Sequence, residues 1–310
     1  MPRRERLDAL ILGGGMAGLS AALTLRGFGL DVTVIEEGRQ PGGQLHDVHA
    51  RILDYPLAYG LEGATFAARL LDDARAAGLP ILVGSPITAI SARGHWAERD
   101  DERLHARALL IALGLRRRAL GVPGEIDLLG RGVSHSANRD RGLFAGRPVA
   151  VVGGGTAAVE DALLCAEVGS PVTLLHRSRR FRARTDFLAR ARKHPNIRII
   201  LGAEVLAILG EERVEEVRYA VAGSRAAKGL PVAGVFVRVG WDPRTELLRG
   251  QVALDRAGYI KTRAGGVTSA PGVYAAGDIC SPRCPSLANA AGQGAAAGWE
   301  MARFLGRLPA

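Results

Sequence analysis

Cysteine is scarce: the 310 residues include only Cys165, Cys280 and Cys284, and no pair has C-x-x-C spacing. That excludes a disulfide-built scaffold and makes a reducing, cytoplasmic setting the expectation. No stretch carries the roughly 18 uninterrupted apolar residues of a spanning helix. The opening MPRRERLDALILGGG runs from charge straight into an apolar, strand-like segment. With neither an h-region nor a small-residue cleavage site, no secretory leader is expected. Lysine is nearly absent as well: Lys193, Lys228 and Lys261 are the only ones, so 38 of the 41 basic residues are arginines. Aromatics make up 5%, and they do not interleave with basic residues as they would on a nucleic-acid surface. No helix-turn-helix, zinc finger or free-standing basic amphipathic helix is present, so neither nucleic acid nor a membrane surface is an expected partner.

What is present is an ordinary globular composition, 47% hydrophobic and 23% charged, in a chain long enough for two domains. The net charge of +10 favours anionic ligands. An internal repeat organises the chain. Residues 8–38, DALILGGGMAGLSAALTLRGFGLDVTVIEEG, align without a gap on residues 148–178, PVAVVGGGTAAVEDALLCAEVGSPVTLLHRS, at an offset of 140. Each copy reads as apolar strand, triple glycine, Ala/Leu-rich helix, Gly turn and second strand, a βαβ unit. Gly13 and Gly153 permit the tight turn, Gly15 and Gly155 let a pyrophosphate approach the backbone, and Gly18 and Ala158 let the helix pack on its strand. The helix N-termini, at Met16–Ala17 and Thr156–Ala157, offer N–H groups to phosphate oxygens. Two such units in matching context constitute a strong dinucleotide signature.

The copies differ where each second strand ends. The first carries Glu36, followed by Glu37; a carboxylate there accepts hydrogen bonds from a ribose diol and repels a 2′-phosphate. The second carries His176, Arg177 and Arg182 in a run, HRSRRFRAR, that suits a 2′-phosphate. The first unit is therefore expected to hold FAD and the second NADPH.

Further motifs follow in order: PGGQL (41–45), ILDYP (52–56), ALGLRRRALGVPGE (112–125), GVFVRVGWDPRTELL (234–248) and TSAPGVYAAGDI (268–279). Together with the two glycine turns, they resemble the low-molecular-weight thioredoxin reductases, two-dinucleotide-binding-domain flavoproteins, over essentially the whole chain. The resemblance implies an α/β fold of two Rossmann-like three-layer domains. The NADPH domain (118–245) is inserted into an FAD domain made of residues 1–117 and 246–310. It implies FAD contacts from Gly13, Gly15, Met16, Ala17, Gly18, Glu36, Glu37, Gly42, Gly43, Gln44, Leu45, Gly114, Gly277, Asp278, Ser286 and Leu287, with either His49 or Asp54 approaching the ring. For NADPH it implies Gly153, Gly155, Thr156, Ala157, His176, Arg177, Arg182 and Gly240. No metal site is expected, and a homodimer is.

One departure decides the functional expectation. Where the family carries its redox C-x-x-C, this chain reads GRGVSHSANRD (130–140), with Ser136 and Arg139 at the cysteine positions and the following acid kept as Asp140. Neither residue can form a disulfide or a charge-transfer thiolate. The expected activity is thus an FAD-dependent NAD(P)H oxidoreductase that passes electrons to an external acceptor. Candidate acceptors are an acidic ferredoxin- or flavodoxin-like carrier, a quinone or another small molecule. Asp140 is the surviving candidate acid. Two alternatives stand beside this reading: a disulfide reductase using Cys280 and Cys284, and a flavin- or nucleotide-binding sensor without turnover. Cys165, in the second βαβ helix, is expected to be a buried apolar thiol.

Overall fold

The computed structural model describes residues 6–224, 226–280 and 284–309. The chain divides into two compact units, residues 1–116 with 242–310, and residues 117–241. The boundaries expected from the motifs, 117/118 and 245/246, differ from these by one and four residues.

In the first unit, strand Leu7–Leu12 is central. Its LDALIL sequence is apolar without alternation because both faces are covered. Ala9 and Ile11 face a core shared with helices Met16–Gly27, Gly63–Ala76 and Leu287–Phe304. Leu10 and Leu12 face the opposite core, closed by Ile90, Leu248, Ile260 and Ile279. Strands Ile81–Val83, Val32–Glu36, Leu7–Leu12, Glu102–Ile111 and Val273–Ala275 lie side by side in that order, all parallel. The first half of the ten-residue strand Glu102–Ile111 also pairs antiparallel with Trp96–Arg99, which pairs with Ala89–Ser91.

The second unit repeats the plan. The parallel order is Ile197–Leu201, Val172–His176, Val149–Gly153, Gly234–Arg238, Val133–Ser134. Helices Thr156–Glu167 and Thr185–Lys193 cover one face. An antiparallel meander, Ala203–Leu209, Glu216–Val221 and Lys228–Pro231, covers the other. Both units are therefore three-layer α/β sandwiches with a strand order that reverses at the glycine-bearing strand, where open sheets of this kind bind ligands. Among the described residues, no helix is long and apolar enough to cross a membrane.

Candidate functional site

In each unit a cavity lies at the carboxyl ends of the parallel strands. In the first, Gly13 leaves its strand at φ +110°, a conformation that glycine alone adopts readily, and a Cβ there would collide with the Ala112 carbonyl. Helix Met16–Gly27 starts immediately afterwards, with Gly15 at its N-cap and no side chain satisfying its first N–H groups. Glu36, at the end of the second strand, accepts the Gly14 N–H at 2.8 Å on one carboxylate oxygen and the Gly38 N–H at 2.8 Å on the other. Each oxygen keeps a further lone pair for a ribose hydroxyl.

The cavity they border measures about 1000 Å³. Gln44 and Asp278, from opposite ends of the sequence, meet there, with the Gln44 amide donating to the Asp278 carboxylate at 3.1 Å. Ser286 and Leu287 also line it, Ser286 as the N-cap of the last helix, its hydroxyl accepting the Asn289 N–H. Every residue expected at the flavin nucleotide lines this cavity except Gly18 and His49. Gly18 acts from behind, since a Cβ there would strike the Gly13 carbonyl and Ile11. Of the alternatives His49 and Asp54, Asp54 lines the wall and His49 does not. The sequence reading missed Arg51, Arg116 and Arg244 on the same wall. Arg244 is tied to Glu37 at 2.7 Å, and Arg116 is ion-paired with Glu246. A glycine turn, an uncapped helix N-terminus, a carboxylate at the end of the second strand and a cavity of about 1000 Å³ fit a dinucleotide such as FAD.

The second cavity, about 310 Å³, is lined by Gly153, Gly155, Thr156, Ala157, His176, Arg177, Arg182 and Gly240, all of them expected. His176 is buried, its ring filling the space where a Gly154 Cβ would sit and stacking on Phe181 at 4.8 Å. Its Nε2 lies 3.0 Å from the Arg180 carbonyl. The imidazole is thus committed to the turn, and among the expected residues Arg177 and Arg182 supply charge at the cavity. Arg179 and Arg180 are exposed and do not line it. Arg117, Arg118, Arg238 and Trp241 line it without having been expected, with the Arg117 guanidinium 4.6 Å above the Trp241 ring. Five arginines against Glu204 make the lining predominantly cationic, which fits a 2′-phosphorylated pyridine nucleotide.

The pyridine nucleotide-disulphide oxidoreductase family matches residues 7–294. The chain belongs to that family. The thioredoxin reductase of Mycolicibacterium smegmatis is 37% identical over 304 residues, covering 96% of both chains. A 34.2 kDa protein in a rubredoxin operon of Clostridium pasteurianum is 30% identical over 308 residues, covering 99% of both. The crystal structure of Lactococcus lactis thioredoxin reductase superposes with a TM-score of 0.84 at 28% identity, covering 98% of this chain and 100% of that one. The protein is thus a thioredoxin-reductase-like, FAD-dependent NAD(P)H oxidoreductase, and members of this type use FAD and NADPH.

Against that family background, the segment after strand Val133–Ser134 is chemically quiet. Ser136 is the N-cap of the short helix Ala137–Asp140, its hydroxyl accepting the Arg139 N–H at 3.4 Å. Arg139 grips Asp140 through two hydrogen bonds of 2.8 Å, and the Ser134 hydroxyl donates to the same carboxylate at 2.6 Å. Asp140 lines neither cavity, so the candidate acid is absorbed in local structure. All three cysteines are unpaired thiols: Cys165 buried, Cys280 partly buried and Cys284 exposed. Burial, reinforced by the charge of Asp278, pushes the Cys280 thiol up to about 12. Burial, with a contribution from Asp161, does the same for Cys165. Residues 281–283, between Cys280 and Cys284, lie outside the described residues.

Asp161, which the sequence reading also missed, is 1% exposed in helix Thr156–Glu167. Its Oδ2 accepts the Ala137 N–H at 3.3 Å and stands 3.2 Å from the Arg238 Nε. Burial raises its carboxyl to about 6 against the pull of Arg238 and the Ala137 N–H. A signal for it exists in the repeat: at the offset of 140, this buried acid stands where the first copy has the buried Ala21.

Proposed function

We propose that the protein carries electrons from NADPH through FAD to an external acceptor without using a dithiol. The acceptor class is an acidic protein carrier of the ferredoxin or flavodoxin kind, with a quinone or another small oxidant as the less specific form of the same activity. The observation that carries this reading is the pair Ser136 and Arg139, one spent on a helix cap and the other on Asp140, in a chain with no C-x-x-C. The basic run 176–198, nine positive residues against Asp186 alone, supports an anionic partner. So does the relative in a rubredoxin operon. A cytoplasmic homodimer accompanies this reading.

In the first unit, the turn Gly13–Gly15 and the start of helix Met16–Gly27 hold the pyrophosphate of FAD, and Glu36 fixes its ribose. Gln44 and Asp278 orient the linker, while Asp54, Leu287 and Gly114 border the ring. In the second unit, Gly153, Gly155, Thr156 and Ala157 hold the pyrophosphate of NADPH and Arg177 and Arg182 its 2′-phosphate, with Gly240 on the facing wall. When bound, the flavin supplies the redox chemistry, accepting a hydride and releasing electrons; the chain supplies position and field. In a disulfide route through Cys280 and Cys284, Cys280 is a poor attacking group, since only the thiolate attacks a disulfide and burial pushes its thiol up to about 12.

The test is an anaerobic NADPH titration of the purified holoprotein followed by flavin absorbance. Bleaching on addition of NADPH is expected, with reoxidation by a ferredoxin, flavodoxin or quinone and none by thioredoxin. A flavin that stays oxidised at saturating NADPH and NADH would replace this reading with the sensor. Reoxidation by thioredoxin that is lost in Cys280→Ser would replace it with the disulfide route.

A further inference from the structure

Arg238 is the last residue of strand Gly234–Arg238, in register with Gly153 of the glycine turn. Along that strand Val235 and Val237 face the meander core, whereas Phe236 packs with Ala158, Val159 and Ala162 of the nucleotide-side helix. Arg238 therefore projects on the helix side, at the mouth of the strand. Its Nη1 donates to the His135 carbonyl at 2.7 Å, and its Nε lies 3.2 Å from Asp161, too poorly aligned to form a hydrogen bond. Nη2, with two N–H donors, has no hydrogen-bond partner among the described residues. Arg238 also lines the cavity of this unit.

Strand order says which part of a nucleotide would meet it. Val172–His176, the strand leading into Arg177 and Arg182, lies on one side of Val149–Gly153, and Gly234–Arg238 lies on the other. A nucleotide with its 2′-phosphate beside Arg177 crosses the glycine turn with its pyrophosphate and places its nicotinamide half over the Arg238 side. We propose that Arg238 donates a charged hydrogen bond to an acceptor oxygen on the nicotinamide half of the pyridine nucleotide, and that Asp161, buried behind it, is the positioning residue that aims the guanidinium. The proposal rests on the reading of residues 117–241 as the nucleotide unit. Three features favour it over a purely structural ion pair: Asp161 is buried, its 3.2 Å approach to Arg238 is at Nε, and Arg238 itself lines the cavity.

The test compares two ligands by calorimetry at pH 7.5 on the holoprotein: NADP+, and 2′,5′-ADP, which lacks the nicotinamide half. Wild type should bind both. Arg238→Met should weaken NADP+ by about tenfold, as expected for a lost charge-assisted hydrogen bond, and leave 2′,5′-ADP unchanged. Asp161→Ala should give the same selective loss, and Asp161→Asn, whose amide oxygen can still face Nε, should recover affinity to within about twofold. If Asp161→Ala does not fold, the paired change Asp161→Asn with Arg238→Met removes both charges and must show the same selective loss. Unchanged NADP+ affinity in Arg238→Met, or equal weakening of both ligands, overturns the assignment. Failure of wild type to bind either ligand overturns the nucleotide reading itself, and the proposal with it.

Discussion

Gly18 packs against the backbone carbonyl of Gly13 with no room for a methyl group between them. Gly15, three residues earlier, has open space where a Cβ would project, its nearest neighbour being the Gly43 Cα at 4.0 Å. The same turn thus contains one glycine required by packing and one that packing leaves free. Gly18→Ala is expected to destabilise the apoprotein by about 2 kcal/mol or more, because neither backbone carbonyl nor strand can yield. Gly15→Ala should change apoprotein stability by less than about 1 kcal/mol, since it merely replaces one N-cap residue. It should nevertheless weaken FAD by about tenfold, because the methyl group stands where the phosphates approach. Urea midpoints of the apoproteins, with FAD titrations alongside, check both. Equal loss of stability in the two variants would show that the open space at Gly15 is not reserved for a ligand.

The legibility of the site follows the same division. The glycine turns, Glu36, and Arg177 with Arg182 were readable because a βαβ unit is local, and its chemistry falls within about thirty consecutive residues. The repeat at offset 140 fixed both turns at once. Arg244, Arg51 and Arg116 were not readable: they reach the cavity wall only because distant segments fold beside one another, and no spacing announces this. His176 lines the second cavity as expected, but its packing was not legible. It sits where the motif puts it, yet the approach of Gly154 on one side and the Arg180 carbonyl on the other commit the ring to the turn. Asp161 looked like any helical acid until the sheet brought Arg238 and Ala137 to it.

Ser136 provides a direct test of the dithiol-free reading. Its hydroxyl accepts a single long N–H bond, so Ser136→Ala should cost about 0.5–1 kcal/mol, the lower part of the range for a lost N-cap. Electron transfer from NADPH to the external acceptor should be unchanged. In an enzyme running through a redox group at this position, the same change would abolish turnover. A large fall in steady-state acceptor reduction with little change in urea midpoint would place Ser136 in the chemistry after all.

The cysteines should separate by reactivity. With its thiol near 12, Cys280 has a thiolate fraction of about one in ten thousand at pH 8. Cys165 is suppressed similarly, while Cys284 is exposed. Iodoacetamide at pH 8 is expected to add once to the native protein, at Cys284, and three times after denaturation, read by intact mass and peptide mapping. Rapid native labelling of Cys280 would reopen the disulfide route. The sign for stability follows from a raised folded-state thiol: the contribution is complete below the unfolded value near 9 and is lost as pH rises toward 12.

Asp161 carries the most informative pH dependence. Its carboxyl is raised from 3.8 to about 6, chiefly by burial and in part by Glu160, against the opposing pull of Arg238, the Ala137 N–H and Arg117. A folded state that holds a proton more tightly than the unfolded chain is favoured at low pH. The contribution is fully present below pH 4, falls as pH rises through 6, and levels off above it. A shift of this size corresponds to about 3 kcal/mol. Other carboxylates titrate in the same window, so the readout is the difference between wild type and Asp161→Asn, which cannot titrate. That difference should be flat below pH 4, should move in favour of the asparagine variant by about 3 kcal/mol between pH 4 and 8, and should be flat again beyond. Parallel urea-denaturation curves across that range would mean that burial does not raise the Asp161 carboxyl, which would then be ionised in the folded and unfolded chain alike above pH 4. Arg238 and the Ala137 N–H would then offset the whole cost of burying that charge, and the hold of Asp161 on the guanidinium would not change between pH 4 and 8.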